Sequence, residues 1–129
     1  MVCESLTHLA ISPEWVGEPL ELAPGTALAR LLTRAEMAAD ERGLVHGGFA
    51  FGLADYAAML AVNDPHVVLG AAETRFLAPV RVGEVLTARA VVESAEGKKH
   101  IVKCVVRTDR EVLSAVFTCF VLPRHVFDQ

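Results

Sequence analysis

The chain has 129 residues, which is the size of one domain. Its formal net charge of -4 and its lack of a long basic run exclude the electrostatic footprint of a nucleic-acid binder. Because 53% of the residues are hydrophobic but only 6% are aromatic, the chain has more apolar surface than one core buries, and we expect a homo-oligomer.

The N-terminal part predicts little regular structure, and residues 1–20 and 123–129 are expected to be the least constrained. The first eight residues lack the basic and apolar regions of a secretory signal. The scattered Cys3, Cys104 and Cys119 form neither a disulfide framework nor a metal site. We therefore expect a cytoplasmic protein without a structural metal.

A strand is predicted at residues 27–33, after the turn signal Pro24-Gly25. Residues 34–46 form a charged connection. Residues 47–62 then predict a helix buried on all sides, because apolar residues cover its whole helical wheel. Residues 43–63 are long enough to cross a membrane, but a central Asp55 would cost about 2.5 to 3.5 kcal/mol there. A core helix without a membrane partner is the better interpretation.

Four strands rich in Val and Thr follow at residues 66–76, 85–93, 101–108 and 112–122. The short turns between them join antiparallel neighbours. One strand, one helix and four strands predict an α+β fold in which an antiparallel sheet curls around one central apolar helix. Apolar residues on both faces of the sheet indicate that part of the outer face is an interface.

Asp55 is unusual because a carboxylate in a fully buried helix is costly unless it is paired, hydrogen-bonded or exposed to a cavity. The residues three and four positions away carry no cation or donor side chain. From the residues alone, a catalytic carboxylate and a structural one that caps a loop or meets another subunit are equally good interpretations.

A second signal is His46-Gly47-Gly48 at the start of the helix. Unpaired N–H groups there lie at the positive end of the helix dipole and can stabilise an oxyanion, and glycine lets a substrate carbonyl approach closely. A plain helix start capped by histidine explains the same residues. Gly47 and Asp55 are about 12 Å apart along a helix, so one carbonyl reaches both only if two copies place their helices antiparallel.

Two segments carry a family resemblance: HGGFAFGLAD at residues 46–55 and TRFLAPVRVGE at residues 74–84. Over about residues 24–122 the chain resembles the hotdog-fold thioesterases of the phenylacetic-acid-degradation type. The resemblance implies a single hotdog domain over residues 1–129. It also implies hydrolysis of acyl-CoA to free acid and CoA, with no cofactor. The family's active sites lie between subunits, commonly in homotetramers made of two dimers.

The resemblance also implies roles for residues. Asp55 would be the general base or nucleophile, the Gly47 N–H would polarise the thioester carbonyl, and His46 would orient the loop or substrate. Asp40 stands where the family commonly has Asn, and an ionised carboxylate cannot donate the hydrogen bond of that amide. The expected substrate-binding residues are Asp40, Gly48, Thr74, Arg75 and Phe76. Candidate partners of the CoA phosphates are Arg75, Arg81, Lys98, Lys99 and Arg124, although scattered surface cations more often face solvent.

Two other functions compete with hydrolysis. Some hotdog domains bind acyl-CoA as regulators without cleaving it. The Asp40 departure leaves such a sensing module open, while the presence of Asp55 argues against it. A hotdog dehydratase or hydratase is the third interpretation, although those enzymes place their His and acid at other spacings. A purely structural protein leaves Asp55 unexplained. Aryl-acetyl, short aliphatic and longer acyl groups are all compatible with the sequence.

Overall fold

The computed structural model describes residues 3–129. Two α-helices, six strands and two short 3-10 helices follow one another along the chain. In chain order they are α1 (Pro13–Val16), β1 (Glu18–Ala23), β2 (Thr26–Leu32), a 3-10 helix (Ala35–Met37), α2 (Gly47–Val62), β3 (Val67–Phe76), β4 (Val85–Glu96), β5 (Lys99–Arg107), β6 (Glu111–Val121) and a second 3-10 helix (Val126–Asp128).

The six strands form one antiparallel sheet in the order β1-β2-β4-β5-β6-β3. Helix α2 contacts every strand, so the sheet wraps around it. This confirms the predicted α+β hotdog fold. In the described part of the chain, every helix is too short or too polar to cross a membrane.

Helix α2 begins and ends where the sequence predicts. Its buried residues lie on all sides, with Leu53, Met59 and Leu60 fully inaccessible, and the many alanines between them let the sheet approach closely. Asn63 ends the helix in the left-handed conformation (φ 53°), and its N–H donates to the Met59 carbonyl at 2.7 Å.

The first strand is absent from the sequence-based prediction. Glu18–Ala23 pairs with β2 at the edge of the sheet, where only Leu22 is buried. An edge strand tolerates Pro19 and needs no alternating apolar pattern, so the usual signals are missing. The sheet therefore begins before residue 24, where the family resemblance starts.

The N-terminal segment, residues 3–12, is also better anchored than expected. The side chain of Asn63 joins it to the end of α2: Oδ1 accepts the Leu6 N–H and Nδ2 donates to the Glu4 carbonyl, both at 2.8 Å. The Cys3 N–H donates to the Leu22 carbonyl at 2.8 Å. The expectation that residues 1–20 are the least constrained is wrong for this segment, while residues 1 and 2 lie outside the described part.

Candidate functional site

The start of α2 presents a free backbone donor. The His46 N–H donates to the Met37 carbonyl at 2.9 Å, which fixes the turn into the helix. Nδ1 of His46 accepts the Gly48 N–H at 2.8 Å and caps the helix, so a neutral imidazole carries its proton on Nε2. Within residues 3–129 the Gly47 N–H has no acceptor. It is the donor available to a ligand at this end.

Both glycines have close neighbours. A Cβ on Gly47 would lie 3.1 Å from Cε1 of Phe76, and one on Gly48 would lie 2.8 Å from Nδ1 of His46. Gly48 therefore makes room for the histidine cap, whereas Gly47 makes room for an aromatic ring that is itself 61% exposed. The Phe76 ring forms one wall beside the free N–H.

An open groove of about 450 Å³ lies between this helix start and the end of β3. Its lining includes Leu44, the helix start at residues 46–47, Ala50 and residues 76–80. Apart from the helix start, these are apolar side chains. We name it the apolar groove, and Gly47, whose N–H is free, is one of its lining residues.

Asp55 lies half-buried in the middle of α2, and its Oδ1 is inaccessible without a hydrogen-bond partner in the described part of the chain. Burial raises the pKa of its carboxyl, and the nearby His8 opposes that rise. Burial, with the Asp55 charge, raises the pKa of Cys119 to about 12, so this thiol stays neutral. A buried carboxyl with a raised pKa is suited to accepting a proton.

The Gly47 N–H and the Asp55 carboxyl, both on α2, lie beside different positions of β3 and β6. Gly47 meets Phe76, which is opposite Leu113, whereas Asp55 lies near Cys119, which is opposite Leu69. With eight helical residues between Gly47 and Asp55, the separation is about 12 Å. We treat them as two candidate half-sites, a donor half at Gly47 and a carboxylate half at Asp55.

Strand β3 places the three predicted residues of this region on different faces. Phe76 contacts the helix start, and alternation along the strand puts Thr74 on the same face and Arg75 on the opposite one. Oγ1 of Thr74 is inaccessible and has no partner within residues 3–129. The structure therefore brings Thr74 and Phe76 to the helix side and leaves Arg75 outside it.

The side chain of Asp40 is hydrogen-bonded to the backbone of its own loop. Its Oδ1 accepts the N–H groups of Arg42 (3.0 Å) and Leu44 (3.1 Å), which is an Asx-type turn. The side chain lies in the connection before α2 and lines a second groove rather than the apolar one. The loop thus uses this carboxylate as a local acceptor.

The second groove, of about 510 Å³, adjoins the apolar groove and shares Leu44, Pro79 and Val80 with it. We name it the basic groove after three exposed arginines in its lining, Arg42, Arg81 and Arg110. They come from three loops. A bridge between Leu44 and Arg81 brings the first two loops together.

The basic groove also contains three carboxylates, each used in a short local contact. Asp40 holds its own turn, Oε1 of Glu84 accepts the Arg81 N–H at 2.6 Å, and Oδ1 of Asp109 accepts from Thr108 at 3.1 Å. In residues 3–129 the ion pairs are those of Arg30 and Arg34. The three guanidinium groups of the basic groove thus form no ion pair in the described residues, and an anion bound by them would lie beside three carboxylates.

Sequence reasoning found Arg81 but missed Arg42, Arg110 and His8. The two arginines stand in charged loops where nothing in the local pattern sets them apart. His8 is an isolated histidine in a segment without periodicity. Of the other predicted phosphate partners, Lys98, Lys99 and Arg124 lie outside both grooves. The described residues contain no cluster of three His, Cys, Asp or Glu side chains able to hold a metal ion.

Residues 42–115 match the family model described as thioesterase superfamily. A methylthioribose-1-phosphate isomerase from Aquifex aeolicus is 46% identical over 118 residues, which are 90% of this chain and 26% of that protein. The chain therefore spans about a quarter of the length of the curated relative that it matches.

Several solved structures share the fold. An uncharacterized protein from Pyrococcus horikoshii is 51% identical, with a TM-score of 0.97 and 99% of each chain covered. A mutant of the phenylacetic acid degradation protein PaaI from Thermus thermophilus is 31% identical, with a TM-score of 0.77 over 85% of this chain and 97% of that one. A hypothetical thioesterase from Streptococcus pneumoniae, solved with coenzyme A, is 20% identical, with a TM-score of 0.75 over 84% and 87%.

Proposed function

The chain belongs to the thioesterase superfamily, and from this premise we propose that it hydrolyses an acyl-CoA thioester to a free acid and CoA. The observation that carries the proposal is the inaccessible, unpartnered Oδ1 of Asp55 on the same helix as the free Gly47 N–H. A carboxylate kept without a partner is costly, and a role in proton transfer accounts for it.

The reaction follows from these two groups. The Gly47 N–H donates to the thioester carbonyl oxygen and stabilises the negative charge that develops there. Asp55 accepts a proton from a water molecule as the oxygen of that water attacks the carbonyl carbon. The C–S bond then breaks, and the CoA sulfur leaves with the proton. If Asp55 attacks the carbonyl itself, a mixed anhydride forms and water hydrolyses it.

A second copy of the chain supplies the missing half-site. The outer edge of β3 is unpaired in a strand of ten residues, and such edges pair readily. Antiparallel pairing of two β3 strands about their centres would place Phe76 of one copy opposite Val67 of the other. This brings the donor half at Gly47 of one copy towards the carboxylate half at Asp55 of the other, and two equivalent sites form.

The two grooves fit the two parts of acyl-CoA. The apolar groove would take the thioester and the neighbouring pantetheine arm, and the arginines of the basic groove would bind the phosphates through charge-assisted hydrogen bonds. The fold accommodates this ligand, because the hypothetical thioesterase from S. pneumoniae was solved with coenzyme A. A homotetramer of two such dimers in the cytoplasm is the further expectation.

The first test is thiol release from a panel of aryl-acetyl, short aliphatic and longer acyl-CoA thioesters. We expect release by the wild type, at least a hundredfold less by Asp55→Asn, and wild-type rates from Asp128→Asn. Asp128 is exposed, and Asp128→Asn removes the same charge as Asp55→Asn. Acyl-CoA binding without thiol release by the wild type would instead identify a sensing module. Water addition to an unsaturated acyl-CoA would identify a hydratase.

A subunit-mixing experiment tests the shared site. Asp55→Asn and Gly47→Ala chains, each carrying a different affinity tag, are refolded together. In a mixed dimer one site receives both substitutions and the other receives neither, so random mixing restores about a quarter of wild-type activity. Each variant refolded alone is the control. No recovery in mixed dimers would place both groups of one site in the same chain.

A further inference from the structure

The segment that follows β6, residues 122–127, ends in an exposed aromatic side chain, and we name it the C-terminal tail. Phe127 is 88% exposed, more than any other large apolar side chain in the described part of the chain. The preceding Val126 is 45% exposed. Adjacent apolar side chains that are left in water are typical of a surface that binds another surface.

Hydrogen bonds hold the C-terminal tail in one conformation. Nδ1 of His125 accepts the Phe127 N–H at 3.0 Å and caps the 3-10 helix Val126–Asp128. Nε2 of Gln129 donates to the Arg124 carbonyl at 2.9 Å and to the His125 carbonyl at 3.1 Å. The Phe127 ring is therefore presented on an ordered turn, and little backbone entropy is lost when it meets a partner.

The C-terminal tail begins beside the edge strand that pairs in the proposed dimer. The Leu122 N–H donates to the His66 carbonyl at 3.3 Å, so the tail starts next to the residue that precedes β3. Since the proposed pairing places Val67 of one copy opposite Phe76 of the other, it also places His66 opposite Leu77. With strands about 4.8 Å apart, Leu122 of one copy then lies about 10 Å from Leu77 of the other.

The apolar groove of the other copy begins at the same place. Its lining includes Leu77 and residues 78–80, which follow β3. In an antiparallel pair, β3 of one copy and β6 of the other end at the same end of the joined sheet. Five residues separate Leu122 from Phe127, and they span about 10 Å even at the 3-10 rise of about 2 Å per residue. The C-terminal tail is thus long enough to reach the groove.

We propose that the C-terminal tail of one copy docks on the apolar groove of the other, so that Phe127 forms a second wall of that groove. The inference rests on the proposed dimer and on the proposed binding of acyl-CoA in the groove. Within one chain the groove is open, and its exposed side chains Phe76 and Leu77 offer an apolar surface. The ring of Phe127 covers this surface and removes water from beside the bound pantetheine arm.

Photo-cross-linking tests the docking directly. The photoreactive amino acid p-benzoylphenylalanine is placed at position 127 in one protein and, as the control, at position 20 in another. Leu20 is exposed on β1, at the opposite edge of the sheet. After irradiation, a denaturing gel separates covalent dimers from monomers, and mass spectrometry identifies the linked peptides.

We expect covalent dimers from position 127 but not from position 20. The linked peptide should contain residues 44–47 or 76–80 of the other chain. Links within one chain, links to another surface, or no link from position 127 would each overturn the proposal. If the wild type hydrolyses no acyl-CoA, the proposed function fails, while the cross-link still decides whether the tail docks.

A kinetic measurement tests the contact with the ligand. Phe127→Ser should raise KM roughly tenfold for acyl-CoA and equally for an acyl-pantetheine thioester, because an apolar wall of the pantetheine site is lost. Phe127→Leu should recover most of this loss. Leu20→Ser and Asp128→Asn are matched controls that change an exposed apolar residue elsewhere and the residue beside the ring, and both should keep the wild-type KM. Wild-type KM values in Phe127→Ser would overturn the contact between Phe127 and the ligand.

Discussion

Asp55→Asn is expected to make the folded protein more stable while it removes activity. The Oδ1 of Asp55 is inaccessible and unpartnered within residues 3–129, and leaving a buried polar group unsatisfied costs about 1 to 3 kcal/mol, more when it is charged. A neutral amide costs less to bury than a carboxylate. We therefore expect a gain of about 1 to 2 kcal/mol at pH 7, or about 4 to 8 °C in Tm.

The stability that Asp55→Asn gains depends on pH, and the raised pKa of Asp55 fixes the direction of this dependence. Burial raises the pKa of folded Asp55 above the ordinary value of 3.8, so the folded state binds this proton more tightly than the unfolded state. Below pH 3.8 the carboxyl is protonated in both states and its charge costs nothing. As pH rises from 3.8 through the folded pKa, wild-type stability is lost. The advantage of Asp55→Asn appears over that range and persists above it.

Denaturant unfolding from pH 3 to pH 8, at one fixed protein concentration, measures this effect. Asp128→Asn removes the same charge from an exposed position and should change stability by less than about 0.5 kcal/mol. Equal stability of wild type and Asp55→Asn at pH 7 would refute the reasoning, because the carboxylate would then have a partner in the assembled protein. A gain that persists at pH 3 would show that packing, not charge, is responsible.

Further substitutions separate the roles of the glycines and the basic groove. Gly47→Ala keeps the backbone N–H but adds a Cβ beside it that hinders the close approach of the carbonyl, so kcat should fall at least tenfold. Less than about 1 kcal/mol of stability should be lost, since only the exposed Phe76 ring must move. Gly48→Ala should cost about 1 kcal/mol of unfolding free energy, measured by denaturation, because its Cβ displaces the His46 cap. Gly52→Ala should raise Tm, since its Cβ would meet nothing within 4 Å and alanine favours a helix by up to about 1 kcal/mol. Glutamine in place of each basic-groove arginine should raise KM for acyl-CoA but not for an acyl-pantetheine thioester, and an equal effect on both would contradict phosphate binding there.

Residues that start, cap and end the elements explain why so much of the fold could be predicted from the sequence. Helix α2 spans Gly47–Val62 as predicted, because paired glycines open it and Asn63 ends it. The strands after it agree within a few residues, since each is bounded by a turn and β4, β5 and β6 also bury one face. Strand β1 was missed for a physical reason: an edge strand with one buried residue leaves almost no pattern in the sequence.

The site was predictable only where one element carries it. The spacing from His46 to Asp55 lies on a single helix and is readable in the sequence. The basic groove combines Arg42, Arg81 and Arg110 from separate loops, and no local pattern brings those loops together. Likewise, the place of His8 is set by an anchor more than fifty residues further along the chain.

That anchor has a consequence for how the protein responds to heat. The two bonds from Asn63 join residues 57 and 59 positions apart, and both are solvent-exposed. Such contacts open locally at a lower free energy than the sheet unfolds. Warming should therefore release the N-terminal segment first, and the Leu6 amide should exchange its hydrogen sooner than amides in the middle of β5. Release of the N-terminal segment and unfolding of the sheet would then have different midpoints.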